Sequence, residues 1–92
     1  MRIISQDGMI DVPYEDVCVN IDYRNRCDIT VEGVHGGESH IVVAIYLIAE
    51  KAIRAMKMLR SHYRERVKEE SYHNGFCDHL YFQFPQDGEV EV

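Results

Sequence analysis

Arg54, Lys57, Arg60, Arg64 and Lys68 recur at steps of 3, 3, 4 and 4 residues, the spacing that places side chains on one stripe of an α-helix. Such a row suits phosphate. A guanidinium meets two phosphate oxygens at once through its planar fork, and Lys adds a point charge beside it. Lys and Arg are also good helix formers, so a solvated outer face is the ordinary use of these residues. What sets this row apart is the lack of acidic partners: residues 51–68 hold seven Lys or Arg and one Glu. Arg60 with Arg64, and Arg64 with Lys68, are like-charge neighbours at i,i+4, each destabilising an isolated helix by roughly 0.2–0.5 kcal/mol. Glu50 is placed to pair with Arg54, but no acidic residue lies three or four positions from Lys57, Arg60 or Arg64. The neutralising charge must come from solvent ions, from the acidic stretch with Asp87, Glu89 and Glu91, from a second subunit, or from a ligand.

Other groups of residues invite chemistry less strongly. His35-Gly36-Gly37 is a loop in which glycines let backbone N–H groups approach an anion, and Arg24 and Arg26 sit at a predicted hairpin tip. Both are candidate additions to a phosphate site. His73, Cys77 and His79 fall within seven residues and include metal-ligand types, but neither a CxxC pair nor a helical HxxxH accompanies them. A turn followed by a half-buried Cys is the expected use. Cys77 with a neighbouring His also has the types of a thiol nucleophile and its base, yet nothing resembling an oxyanion hole goes with them. The carboxylates form no pattern separable from solvated strand edges. The expectation is a protein that binds rather than catalyses, with no cofactor and no metal.

The totals fit that expectation. Ninety-two residues with a net charge of -6 make one domain with a thin core. The charge is distributed unevenly: residues 1–50 carry three basic and nine acidic groups, 51–68 seven and one, and 69–92 none and six. The average therefore conceals a dipolar chain. Cys18, Cys27 and Cys77 are an odd number without an export signal, so free thiols in a cytoplasmic setting are expected. No segment is long and apolar enough to span a bilayer.

The elements that must position the row follow from periodicity. Arg2 to Ser5 and Met9 to Val12 read as a hairpin around Asp7-Gly8, ended by Pro13. Val17, Val19 and Ile21 alternate with Cys18 and Asn20, and Cys27, Ile29 and Val31 alternate with Asp28 and Thr30, giving a second hairpin. By this parity Cys18 and Cys27 lie on opposite faces. A strand at 40–46 follows, and then the period changes to 3.6. Residues 48–70 read as one long helix with Ile48, Ala52, Ala55, Met56, Leu59, Tyr63 and Val67 on its buried face. A final strand at 80–84 and an acidic tail at 85–92 complete a single domain of α+β class. The expected architecture is a small antiparallel sheet with one long amphipathic helix packed on a face.

MRIISQDG at residues 1–8, DVPYE at 11–15, the strand ending in Tyr46 and EKAIRAMKMLR at 50–60 resemble a group of small accessory proteins encoded by phages and prophages of Gram-positive bacteria. The resemblance implies an accessory gene on a mobile element, and with it a role in the host cytoplasm such as countering host defence. In that group the residue after the Tyr tends to be Ser or Thr, a good helix N-cap. Here it is Leu47, so no local cap is supplied.

The leading expectation is therefore a counter-defence binding protein whose basic helix face holds an anionic ligand, either a nucleotide immune signal or a nucleic acid. Two alternatives stand beside it. Acidic surfaces of the chain would occupy the nucleic-acid groove of a host defence nuclease, or the helix face would bind a second copy in a homo-oligomer.

Overall fold

The computed structural model describes residues 1–33, 40–73 and 81–92, with helix side chains described as far as Glu65. The strands are β1 (Arg2–Ile4), β2 (Asp11–Pro13), β3 (Val17–Ile21), β4 (Asp28–Gly33), β5 (Ile41–Ile45) and β6 (Tyr81–Gln83), with helix α1 (Ala49–His73) between the last two. The α+β class is as expected. The strands divide between two three-stranded sheets, ordered β2-β1-β6 and β3-β4-β5.

In the first sheet, Asp7-Gly8 makes the expected turn. Gly8 takes φ 75°, a backbone setting that favours glycine, while the Asp7 carboxylate accepts from the Ser5 hydroxyl at 2.5 Å and the Met9 N–H at 3.0 Å. Pro13 is the last residue of β2 and lies opposite Arg2, which an edge strand tolerates because one side of its backbone needs no partner. β6 enters on the other side of β1 and runs parallel to it, pairing Ile3 with Phe82. A parallel neighbour requires a long crossover, and here the whole of β2 to α1 intervenes.

β3 and β4 form the second predicted hairpin, with Val19 opposite Val31. Burial alternates along β3 as its sequence does, and Ile29 and Val31 of β4 are fully buried. Cys18 is exposed, Cys27 half-buried, and both are free thiols. The β4–β5 register slips between Ile29 and Thr30, leaving Val43 as a bulge. That bulge joins the two sheets. The Val43 carbonyl accepts the Gln6 N–H at 2.9 Å, and the Gln6 carboxamide accepts from Ile45 N–H at 2.7 Å and donates to Ile45 C=O at 3.1 Å. Its side chain thus stands in for a peptide unit along an otherwise open strand edge, where unpaired backbone groups invite unwanted association.

α1 packs over both sheets. Ala52 and Ala55 are completely buried and Leu59 is 1% exposed; the two alanines, having nothing beyond Cβ, let the helix backbone approach closely. The core behind them is built from Ile3, Ile29, Val31 and Phe84. The buried arc is broader than the expected stripe: Met56 and Tyr63 are half-buried on one flank, Met58 and His62 on the other. Ile48, expected on the buried face, precedes the helix and is 42% exposed. The side chain of Val67 lies outside the described residues. Among the described residues no helix is long and apolar enough to cross a membrane.

Candidate anion-binding face

The acidic tail answers one of the questions the sequence raises. It folds across the start of α1 instead of running along the basic row. Phe84 and Val90 are buried, the Pro85 carbonyl accepts from the Tyr46 hydroxyl at 2.8 Å and the Gln6 amide at 3.0 Å, and Asp87–Glu89 forms a 3₁₀ turn closed by a reciprocal Gln86/Glu89 cap. The Asp87 carboxylate accepts from the Leu47 N–H at 2.8 Å and from Lys51 Nζ at 2.9 Å. A residue forty positions away thus satisfies the Leu47 backbone donor just ahead of α1, and places a negative charge beside the positive end of the helix dipole. Burial pushes the Tyr46 hydroxyl up to about 12, with the nearby Asp87 and Glu89 charges adding to the effect, so it serves as a neutral donor.

The Leu47 N–H and then Lys51 hold the Asp87 carboxyl below its ordinary value of 3.8. A depressed folded-state value means the unfolded chain binds the proton more readily. The stabilising contribution is therefore present above pH 3.8 and is lost as the pH falls through the lower folded value. Asp87→Ala is expected to lower the thermal midpoint at neutral pH by about 5 °C, as loss of a charge-assisted hydrogen bond at a helix entry does in a domain of this size. Asp87→Asn should reduce the acid sensitivity seen by circular dichroism between neutral pH and pH 3. An unchanged midpoint in the alanine variant would contradict this anchoring role.

With Asp87 engaged at Lys51, no acidic side chain among the described residues pairs with the row further along the helix. Arg54, Lys57, Arg60 and Arg64 are all exposed. Among the described residues the ion pairs are Met1–Glu15, Arg2–Asp11, His40–Glu32 and Lys51–Asp87, none of which touches the row. At about 1.5 Å per residue, Arg54 to Arg64 spans about 15 Å of helix. Lys68 continues the helical spacing, its side chain outside the described residues.

Two open clefts flank this crest. One, of about 670 Å³, is lined by Arg60 with Tyr14, Tyr63, Val17, Val19 and Met56, with Glu15 at its edge. The rings of Tyr14 and Tyr63 lie 4.7 Å apart, tilted by 37°. Glu15 is held by the N-terminal ammonium of Met1 at 2.6 and 3.0 Å. The other cleft, of about 500 Å³, is lined by Arg54, Lys57, Met58, Ser61, His62, Glu65 and Phe82, with the His62 and Phe82 rings edge to face at 5.3 Å. Turning by about 100° per residue, α1 directs Arg60 toward the first cleft and Arg54 and Lys57 toward the second. The cations of one row thus border aromatic surface on both flanks.

Arg24 is placed apart from them. It stacks over Tyr23, with 5.7 Å from guanidinium carbon to ring centroid, and lines a groove with Asn20, Asp22, Glu32, His40 and Val42 on the β3-β4-β5 sheet that no helix residue enters. Arg26, in the same tip, takes φ 61°, and its N–H donates to the Asp22 carbonyl. His35, Gly36 and Gly37 lie outside the described residues, as do Cys77 and His79 and the side chain of His73. Among the described residues no cluster of His, Cys, Asp or Glu is arranged to hold a metal ion. Tyr14 and the Phe82/His62 pair were not singled out by sequence, because only the tertiary fold brings them beside the row.

No protein-family model, curated protein or solved structure matches this chain.

Proposed function

We propose that this is a non-enzymatic binding protein of the phage accessory type, which holds a phosphate-bearing ligand, a nucleotide or a nucleic acid, along the outer face of α1. Sequestering such a ligand in the host cytoplasm is a means of countering host defence. The observation that carries the reading is the destination of the acidic tail: Asp87 is committed to Leu47 and Lys51, and Arg54, Lys57, Arg60 and Arg64 are exposed with no ion pair among the described residues. An exposed like-charged row destabilises its own helix slightly, and a polyanion removes that cost while releasing its own counterions. Neutral chemistry gains nothing from such a row.

Titrating inorganic polyphosphate into the protein at low salt, followed by calorimetry, should give a saturable isotherm. A featureless titration would contradict the reading.

A second reading, association with another copy, draws on a different observation. Ile45, Leu47, Ile48 and Ile53, at the end of β5 and the start of α1, are 60, 82, 42 and 45% exposed. Exposed apolar residues concentrated in one stretch are typical of interaction surfaces. Light scattering on ligand-free protein distinguishes the two: a dimer retained in Leu47→Glu would rule out this surface as the contact.

A further inference from the structure

Resting on the phosphate reading of the helix row, we infer that the ligand is single-stranded nucleic acid and that the cleft beside Arg60 receives one of its unpaired bases. Three observations lead there. First, the cleft has the walls a base requires. Tyr14 and Tyr63, whose rings pack against each other, supply aromatic surface at its wall, and Val17, Val19 and Met56 supply an apolar lining, all half-buried and hence already positioned by packing. Its volume of about 670 Å³ falls within the range of roughly 300–1,000 Å³ typical of small-molecule sites.

Second, Arg60 lines that same cleft, so a phosphate held by its guanidinium places the attached sugar and base at the opening. Stacking on an aromatic face is available to every base, which gives affinity without strict sequence preference. Glu15 adds one polar discriminator at the edge. Anchored through Met1, it presents acceptor capacity to a base carrying an exocyclic amine, as adenine, cytosine and guanine do, whereas thymine offers it only the N3–H between two carbonyls for which the carboxylate has no donor.

Third, the cations extend well past the cleft. A mononucleotide seated there reaches Arg60 and its neighbour Arg64, leaving Arg54 and Lys57 on the far flank unused. A strand of several phosphates follows the crest and uses all four. A duplex satisfies the row equally well but keeps its bases stacked inside, out of reach of Tyr14 and Tyr63.

The test compares two labelled strands of equal length and charge by fluorescence anisotropy, one of oligo(dA) and one with abasic sugars throughout. Oligo(dA) should bind roughly 5- to 100-fold more tightly, the range that stacking of a base on an aromatic residue supplies. Oligo(dT) should fall between the two. Tyr63→Leu, which keeps an apolar side chain of similar reach, should abolish most of the preference while leaving affinity for the abasic strand unchanged; Tyr14→Leu is the companion variant should the first fail to fold. Equal affinity for the abasic strand and oligo(dA) would overturn the base cleft while polyphosphate binding still upheld the row. Failure of oligo(dA), oligo(dT), the abasic strand and polyphosphate alike to bind would overturn both.

Discussion

Phe84→Ala is expected to destabilise the protein by about 3–5 kcal/mol, a large share of the stability typical of a domain, about 5–15 kcal/mol, and enough to bring one at the low end of that range close to unfolding. Phe84 is 1% exposed and packs edge to face against Phe82 with ring centroids 5.3 Å apart. Its N–H donates to the Ile4 carbonyl at 3.0 Å, so it continues the β6 pairing with β1 at the point where the tail departs toward the helix. Removing the ring leaves a cavity in the core and also loosens the segment that carries Asp87 to Leu47 and Lys51. Urea unfolding followed by circular dichroism measures the loss. Met9→Ala, at a position 83% exposed, is the control and should fall within about 0.5 kcal/mol of the parent. A cost for Phe84→Ala no larger than that control would mean the tail is not part of the core.

Arg60→Glu combined with Arg64→Glu is expected to cause the largest loss of binding. Counterion release from a single strand contributes a salt exponent of about 0.7 per contact, which at about 0.1 M salt is about a fivefold gain in affinity for each phosphate neutralised. Losing two contacts costs roughly 25-fold, and the two new negative charges deepen the loss further. The fold should survive, because both side chains are exposed and neither forms an ion pair among the described residues. Arg24→Glu is the informative comparison. Its groove on the β3-β4-β5 sheet contains no helix residue, so affinity should change little. Anisotropy with the same labelled strand reads all three proteins. An equal loss in both variants would point to a diffuse electrostatic effect in place of a built row.

Local patterns carried much of the fold. The period-2 alternation of Val17, Val19 and Ile21 matches the burial of β3, and the 3.6 period locates α1 and the centre of its buried face at Ala52, Ala55 and Leu59. The features missed are those that depend on residues far apart in the chain. β6 pairs in parallel with β1 across nearly the whole sequence, and nothing in Tyr81–Gln83 signals a parallel partner. Val43 is a bulge because its carbonyl must meet Gln6, which strand propensity does not report. Met58 and His62 are half-buried because α1 covers two sheets and so needs a wider buried arc than a helix on one.

The candidate site divides in the same way. The spacing of Arg54, Lys57, Arg60 and Arg64 sufficed to place them on one exposed crest. The sequence also left the tail as one possible source of neutralising charge, and only the tertiary fold shows Asp87 at Leu47 and Lys51 instead. The cleft beside Arg60 depends on Tyr14 and Tyr63 meeting from opposite halves of the chain. A Tyr on the flank of a helix stripe is ordinarily core, so its type and position gave no sign of a cleft.

The dependence of single-strand affinity on salt tests the phosphate row most directly. If Arg54, Lys57, Arg60 and Arg64 each neutralise one phosphate, a plot of log affinity against log salt concentration should be linear with a slope near -3, from about 0.7 per contact. A slope near zero would contradict it, since affinity indifferent to salt cannot come from cations meeting phosphates.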